Sequence, residues 1–574
     1  MPLLPPPEVL RRPRFGLADL WVVVLLLSVL LLIAHLGSEA SVAYHPDDQI
    51  RPISLNPINL PDYAARSCLR MFMALACSTL FSLVYGSLAA RHALAERVLI
   101  PVLDVLQSVP VLGFLSLTVT GFIALFPGSL LGLEAASVFA IFTSQAWNMT
   151  FSFYQSLRSV PKELQEAARL YRLTRWQRFS RVDVPFAAIP LLWNAMLSFG
   201  GGWFFVAASE SISVLNHTYT LPGIGSYVTA AVIARDLRAL GWAILTMVVL
   251  VLLVDQLFWR PLVAWCDRFR LDESGGAEVA DSWAYGVLRR SQVPRLLGLM
   301  LAPMGSVVDG VLSRLSGVVS EHPTERREVS WPQWCRPALM LLGALALAIL
   351  TQGLVRRMGS EEVLYAVGLG CKTLARVMLL LLMASLIWTP IGVFIGFRPR
   401  WVRLCQPVVQ FLASFPANFL FPLATVVFVA LHLPIGWGAV LLMALGSQWY
   451  ILFNSIAGAQ MIPRDLREMA DAVGLEGWPR WRQLILPGIF SAWVTGVVTA
   501  CGGAWNASIV SELVSWGHTT LKAEGLGAYI AEATRLGDWS RISLGIGLMS
   551  AFVVGLNQLL WRRLYGLAER RYHL

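Results

Sequence analysis

The chain repeats itself, so whatever one copy folds into, the other must fold into as well. Residues Gln145 to Arg260 are echoed at Gln448 to Arg562, mostly with a shift of 302 positions. Pro161-Lys-Glu-Leu-Gln-Glu166-Ala-Ala168 returns as Pro463-Arg-Asp-Leu-Arg-Glu468-Met-Ala470, and Val184-Pro185 as Leu486-Pro487. Ser209-Glu210 returns as Ser511-Glu512, Gly223-Ile-Gly225-Ser-Tyr227 as Gly525-Leu-Gly527-Ala-Tyr529, and Gln256-Leu-Phe-Trp259-Arg260 as Gln558-Leu-Leu-Trp561-Arg562. Upstream the shift is 306, pairing Arg70 with Arg376, Gly86 with Gly392, Pro101 with Pro407, Ser108 with Ser414 and Pro110 with Pro416. A few residues deleted between helices explain the change of register.

Each copy is built for lipid. Over 574 residues, 56% hydrophobic and 14% charged content with a mean hydropathy of +0.62 leave too little polar surface for a soluble fold. The apolar runs approach the ~20 residues that a helix needs to cross a ~30 Å hydrocarbon layer, and they lack the alternation of barrel strands. They predict an all-α integral membrane protein with about twelve transmembrane helices in two parallel six-helix repeats. The first copy has spans at 17 to 36, 66 to 90, 102 to 126, 131 to 155, 186 to 208 and 240 to 262. The second has them at 338 to 355, 374 to 397, 405 to 431, 437 to 457, 487 to 507 and 543 to 562. Leu17 to Leu36 is too long, and too poor in a following cleavage pattern, for a signal peptide.

Arg and Lys gather in cytoplasmic loops. Arg11, Arg12 and Arg14 precede the first span, Arg91 and Arg97 follow the second, and Arg158, Lys162, Arg169, Arg172, Arg175, Arg178 and Arg181 follow the fourth. Arg398, Arg400, Arg403, Arg464, Arg467, Arg480 and Arg482 repeat the pattern, against the weak counterexample of Arg356 and Arg357. The loop from Gly37 to Asp62, with Arg51 as its one basic residue, belongs on the other face. Both termini are then cytoplasmic. The net charge of +10 is topological and calls for no nucleic acid. The seven cysteines are scattered without metal-type spacing and read as small core residues.

The organisation expected is a first copy over 1–266, a cytoplasmic linker over 267–334 and a second copy over 335–574. Within the linker, Leu296 to Met304 is too short to span. Val287 to Leu301 and Val307 to Leu315 read either as amphipathic helices on the membrane surface or as part of a loose tether.

In each copy the longest cytoplasmic loop carries a short amphipathic helix. Leu164, Ala167, Ala168 and Tyr171 stand at i, i+3, i+4 and i+7, as do Leu466, Met469, Ala470 and Val473. Pro161 and Pro463 open the helices, with Glu163 and Asp465 in the first turn, where an acidic group complements the dipole. The apolar face folds either on its own bundle or into the groove of a partner.

Glu166-Ala167-Ala168 followed by Val184-Pro185, and Glu468-Met469-Ala470 with Gly474 and Leu486-Pro487, resemble the EAA loop of binding-protein-dependent ABC importer permeases. The Gly-x-Gly segments after Glu210 and Glu512 resemble the nitrate/sulfonate/taurine-type branch. The resemblance implies that both loops are coupling helices, each seated in a cleft of one of two copies of a cytoplasmic ABC ATPase. It also implies ATP and Mg bound by that partner, a periplasmic or lipid-anchored solute-binding protein, and a place in the bacterial inner membrane. The substrate it implies is a small oxyanion such as nitrate, a sulfonate (taurine) or bicarbonate. The family's Gly after the Glu is Gly474 in copy two but Arg172 in copy one, so the first loop is expected to turn differently.

No G-x-x-x-x-G-K-[ST] loop occurs; Gly368-Leu-Gly-Cys-Lys372-Thr373 lacks the second Gly. No H-E-x-x-H, G-x-S-x-G or paired-carboxylate pattern points to an enzyme. Polar residues inside spans turn from lipid, so Gln107, Ser108, Gln145, Asn148, Gln410, Ser414, Asn418 and Gln448 either line a path or bond neighbouring helices. Asp104 and Asp255 sit near span ends, in reach of headgroups or an Arg. Glu210 and Glu512 fit contact with a binding protein or capping of a short external helix. Pro110 and Pro416 break into the third spans, as a gate or for close packing. The rival readings are an ion-coupled secondary transporter, which would need an intramembrane carboxylate or cation site, and a receptor or scaffold that kept the permease fold.

Overall fold

The computed structural model describes residues 16, 18–24, 26–28, 53–127, 129–214, 217–269, 282–316, 353, 356–517 and 519–571. The spans expected at 17 to 36 and 338 to 355 lie mostly outside these residues, as do Arg11, Arg12, Arg14, Arg51 and Cys335 and the side chains of Asp104 and Ser108.

The two copies run through the same elements. Copy one comprises α1 (Leu60–Arg91), α2 (Ala93–Ser108), α3 (Val111–Leu125), α4 (Leu131–Arg158), α5 (Lys162–Leu170) and α6 (Val184–Ser209). A hairpin of β1 (Ser211–Val214) and β2 (His217–Thr220) follows, then α7 (Ile224–Ala234) and α8 (Leu237–Val254). The linker holds α9 (Val293–Ser316). Copy two comprises α10 (Ser360–Gly396), α11 (Pro399–Ser414), α12 (Phe421–Ala430), α13 (Ile435–Met461), α14 (Arg464–Ala472) and α15 (Leu486–Ser511). Its hairpin is β3 (Leu513–Trp516) and β4 (Thr519–Lys522), followed by α16 (Leu526–Leu536) and α17 (Trp539–Leu556). Even the π-helical turns recur. Phe179–Asp183 and Trp481–Ile485 lead into α6 and α15, and the echoed Gln-Leu-x-Trp segments lie in Asp255–Trp259 and Asn557–Trp561.

By length and composition, eight helices among the described residues suffice to cross a membrane, or nine if one bent pair counts as a span. That pair is the third span of copy two, expected over 405 to 431 with Pro416 breaking into it, and it bends by 72° between α11 and its continuation at Ala417. The matching span in copy one stops at Ser108 and restarts at Val111. Proline causes both breaks: it crowds the residue before it out of the helical region, and Val109 and Phe415 are extended, at ψ 123° and 129°. Two further differences concern extent. α10 begins at Ser360, well before the expected 374, and the linker breaks elsewhere than expected: a short helix Trp283–Arg290 ends at the extended Ser291, and from Val293 the chain runs through Pro303 as one continuous helix, α9. Among the described residues the two short hairpins also interrupt the succession of helices.

Contacts divide the chain into two compact units: Met1–Ser41 with Ser152–Asn194 and Leu252–Arg327, and Val42–Phe151 with Ala195–Val251 and Glu328–Leu574. In the first unit, Asn194 donates to Ser152 Oγ at 3.0 Å, and Arg260 pairs with Asp255 at 2.9 Å, the arginine contact expected for that carboxylate. In the second unit the two copies interlock. Val111, Leu115 and Val119 of α3 share a core with Ala504 and Trp505 of α15, Ile530 of α16 and Met549 of α17.

Another seam of the second unit joins α6 to the end of α11. Gln410 Nε2 donates to Met196 Sδ at 3.1 Å, and Asn418 Nδ2 donates to the Phe204 carbonyl at 3.1 Å. Between these contacts Gly200 faces Ser414 so closely that an added Cβ would lie 2.5 Å from Ser414 Oγ and 3.1 Å from its Cα. The expected outcome of Gly200→Val is a loss of about 1–3 kcal/mol, the usual cost of overpacking a close helix contact. Thermal unfolding in nanodiscs measures it, and an unchanged midpoint would mean that this seam is not closed in the folded protein.

Candidate functional site: two amphipathic loops and two buried carboxylate clamps

The loop helices α5 and α14 are each nine residues long, opened by Pro161 and Pro463, whose missing N–H costs nothing at a helix start. Both are pinned to the chain just before them. Gln165 Nε2 donates to the Val160 carbonyl at 2.9 Å, and at the matching position Arg467 donates to the Ile462 carbonyl through Nε (3.0 Å) and Nη2 (2.6 Å). Partial burial, then the cations Arg464 and Arg480, lower the pKa of Arg467 from its ordinary value, but a guanidinium remains charged.

The apolar faces are divided. Ala168 and Ala470 are buried and Leu164, Ala167 and Leu466 partly so, whereas Tyr171 is 81% exposed, Met469 62% and Val473 74%. Leu170, outside the expected stripe, is 83% exposed. Glu166 and Glu468 also face outward. One half of each face thus anchors the helix to its own fold, and the other half is left bare at the helix end.

The expectation of a different turn after α5 is overturned. Arg172 adopts the left-handed conformation at φ 48°, where Gly474 sits at φ 70°. The closing bonds match: Leu173 N to Ala168 O at 3.1 Å against Leu475 N to Ala470 O at 2.8 Å, and Arg172 N to Arg169 O at 2.9 Å against Gly474 N to Asp471 O at 3.1 Å. This is the hydrogen-bonded C-terminal cap that normally takes glycine, and the surrounding bonds hold Arg172 in it at a backbone cost of about 1–2 kcal/mol. Thr174 and Gln177 then form a capping box that starts the next short helix, Arg175–Arg178.

The second matched feature links Glu210 to Arg70 and Glu512 to Arg376, in the second unit. Glu210 Oε1 accepts from Arg70 Nη1 at 2.7 Å and Ser67 Oγ at 2.5 Å, and Oε2 accepts from the backbone N–H of Gly225 at 2.7 Å. Glu512 Oε1 accepts from Arg376 Nη1 at 2.7 Å and Thr373 Oγ1 at 2.9 Å, and Oε2 from Gly527 N at 2.9 Å. Both carboxylates are wholly buried. They cap the free N–H groups opening α7 and α16, as expected of a capping residue, where the helix dipole favours a negative charge.

The Gly-x-Gly motifs are explained by the same contacts. A Cβ on Gly223 or Gly525 would lie 2.2 Å from a carboxylate atom of Glu210 or Glu512, and one on Gly225 or Gly527 would strike the Ala207 or Ser508 carbonyl at 2.5 or 2.4 Å. Copy one has an addition: Glu134 takes Arg70 in a bidentate pair, 2.6 Å to both Nε and Nη2. Sequence reading matched Arg70 with Arg376 without giving them a partner. An arginine recurring inside an apolar span was the available signal, since such a charge needs a buried counter-ion.

The polar residues read as lining a path or bonding neighbouring helices are placed as follows. Gln107 Nε2 donates to Asn148 Oδ1 at 3.0 Å, and Gln448 Oε1 accepts from Trp388 Nε1 at 3.0 Å. Gln145 is fully buried, and its amide has no hydrogen-bond partner among the described residues. Gln410, Ser414 and Asn418 face α6 along the seam described above. Asn418 also lines a cavity of about 290 Å³ with Ser211, Thr229, Phe419, Val510 and Ser515, and its Oδ1 has no partner.

Two results are expected. Glu512→Gln should destabilise more than Glu210→Gln, because Arg70 keeps Glu134 whereas Arg376 loses its charged partner, a loss worth about 3–5 kcal/mol when the pair is buried; thermal unfolding of the two variants decides, and equal losses would contradict the pairing. Gly474→Ala should cost about 1 kcal/mol through the backbone alone, since nothing lies within 4 Å of a Cβ there, while Arg172→Gly should relieve strain. Amide exchange across 162–175 and 464–477 should speed up in the first variant and slow down in the second, and the reverse would refute a strained Arg172.

Comparison with known proteins agrees with the duplicated architecture. The family described as "Binding-protein-dependent transport system inner membrane component" matches residues 82–258 and again 389–574, more than half of the chain. The nitrate import permease protein NrtB of Leptolyngbya laminosa is 27% identical over 199 residues, 35% of this chain and 66% of that protein. SsuC of Escherichia coli (strain K12), a permease protein named for aliphatic sulfonates transport, is 37% identical over 118 residues, 20% of this chain and 43% of its own length. The bicarbonate transport system permease protein CmpB of Synechococcus elongatus is 27% identical over 173 residues, 30% of this chain and 58% of its own. The chain therefore spans less than two thirds of the length of each of these relatives. The family comprises transport components and not enzymes. This multi-pass membrane protein belongs to the binding-protein-dependent transport system inner membrane component family, as a fused permease carrying the family's domain twice.

Proposed function

We propose that the chain is the membrane subunit of an ATP-driven importer, forming the translocation path for a small oxyanion and driven through α5 and α14 by two cytoplasmic ATPase subunits. The observation that carries this reading is the divided face of the two loop helices. Each is held to its own fold by a buried alanine and closed by the same turn, and each leaves large apolar side chains, Leu170 and Tyr171 or Met469 and Val473, bare. Bare apolar groups at a rigid helix end fit a partner's groove better than they fit water.

The continuity of the chain supports this reading. From α5 the chain passes through Arg175–Arg178 and the π turn Phe179–Asp183 straight into α6, and from α14 through Gly477–Arg480 and Trp481–Ile485 into α15. When the ATPase pair, with ATP and Mg bound, closes, the displaced loops carry α6 and α15 with them. α6 bears the close seam to Ser414 and Asn418, so its movement alters the cavity beside Asn418.

The cavity is lined mainly by apolar side chains, with the hydroxyls of Ser211, Thr229 and Ser515 and the Asn418 amide as its polar groups; its small volume suits a nitrate-, bicarbonate- or sulfonate-sized solute, in keeping with the names of the relatives. A solute-binding protein on the far face would deliver it. The rival reading of an ion-coupled carrier needs a carboxylate that can release its counter-ion. Glu210 and Glu512 are instead held by arginine and by backbone N–H groups at once.

Because Ala168 and Ala470 are buried, aspartate there would disturb the fold itself; the exposed positions make the cleaner test. Tyr171→Glu combined with Val473→Glu should weaken ATPase association by about 2 kcal/mol or more, the scale of interface anchors, and abolish ATP-dependent uptake of nitrate, bicarbonate and sulfonates in proteoliposomes without lowering the unfolding temperature. Wild-type association and uptake in the double variant would refute the coupling role.

A further inference from the structure

Helix α9 presents a contradiction that the importer reading does not absorb. It has 24 residues, is apolar enough to cross a membrane, and is bare along nearly its whole length. At ~1.5 Å per residue it is about 36 Å long, enough to span. Yet both its ends are tied down within the first unit. At the start, Asp19 Oδ1 accepts from Ser291 Oγ at 2.9 Å and from Gln292 N at 2.5 Å, just before Val293 opens the helix. At the end, Trp176 Nε1 donates to Asp309 Oδ1 at 2.8 Å, the Trp176 N–H donates to Ser316 Oγ at 3.2 Å, and Arg181 lies 3.5 Å from Asp309.

Asp19 stands at the head of the first apolar segment, beside Arg11, Arg12 and Arg14; Trp176 lies in the copy-one loop among Arg172, Arg175 and Arg178. Four apolar segments separate them in the sequence, an even number, which returns the chain to the face it left. A straight helix moored at both ends to one face does not cross.

The helix is also two-sided. At ~100° per residue, Leu297, Met300, Met304, Val307, Val308 and Val311 fall within one arc, while Arg295, Ser306, Asp309 and Ser313 fall opposite. Asp309, on the polar side, takes the bond from Trp176, so the apolar arc points away from the loop. Arg289, Arg290, Arg295 and Arg314 stand near the two ends, where anionic headgroups would receive them.

We infer that α9 lies flat in the cytoplasmic membrane surface, its apolar arc sunk into the boundary between headgroups and acyl chains, and moors the copy-one loop to that surface. The inference rests on the cytoplasmic placement of the loop proposed above. Among the described residues no helix is bonded to the copy-two loop as α9 is to the copy-one loop, so the mooring makes the two loops mechanically unequal. α9 holds Trp176 and, through the short helix Arg175–Arg178, the base of the copy-one loop.

The test uses the full chain in native membrane vesicles, in a background whose cysteines are replaced and whose uptake is retained. Single cysteines at Arg295, Arg314 and Glu163 are labelled with a membrane-impermeant maleimide in inside-out and right-side-out vesicles, and Met304→Cys is compared with Ser306→Cys. All three charged positions should label from the cytoplasmic side only. Met304→Cys should react on the order of tenfold more slowly than Ser306→Cys and should be quenched by lipids labelled near the headgroup, as for an interfacial helix. Labelling of positions 295 and 314 from opposite sides would make α9 a span, and equal reactivity at 304 and 306, or protection that appears only with the ATPase bound, would make its cover water or protein; each overturns the inference. Labelling of position 163 from outside would instead sink the importer reading. Should the cysteine-free chain fail to fold, amide exchange in nanodiscs decides: Met304→Asp should speed exchange over 293–316 and Ser306→Asp should not, and equal effects would overturn the inference.

Discussion

A charge buried in a membrane protein must be neutralised where it stands, and that requirement shapes the far end of both copies. Arg70 and Arg376 sit in apolar helices, and Glu210 and Glu512 reach them from the end of the helix that leads into each hairpin. The same carboxylates collect the free N–H groups of α7 and α16. Three segments distant in sequence are thereby fixed to one point, and the two glycines of each Gly-x-Gly motif are the residues small enough to let them meet. Removing one partner leaves an unpaired charge, which is more costly than never having had the pair.

From that fixed end the long helices run to the loops. Each copy thus pairs a rigid clamp with a loop helix joined to α6 or α15 through a π turn. The copies have nonetheless diverged. Copy one carries Glu134 as a second counter-ion, Arg172 in a conformation that suits glycine, and α9 bonded to its loop. Fusion into one chain makes such divergence possible, since each loop can be altered without altering the other.

Much of this was legible in the sequence. Hydropathy and repetition gave the spans that the described residues cover, Val-Pro and Phe-Pro steps marked where the third spans break, and the i, i+3, i+4, i+7 stripe gave α5 and α14. What escaped has physical reasons. The hairpins have four-residue strands, too short for alternation to show. Arg70 meets its carboxylates 64 and 140 positions away, a separation no local pattern encodes. Pro303 and the glycines near it made α9 read as two pieces; proline's cost inside a helix is set by what surrounds the freed carbonyl, which sequence does not show. Arg172 was read from its propensity, and the hydrogen bonds of the turn overrode it.

Site-specific photo-cross-linking from the two loops tests the central claim most directly. A photoreactive residue placed at Leu170 and another at Met469 should each capture the ATPase in intact cells. The same residue at Ile58, exposed just before α1 in the segment that the charge pattern assigns to the other membrane face, should not. Capture from Ile58, or from neither loop, would contradict a permease driven through α5 and α14.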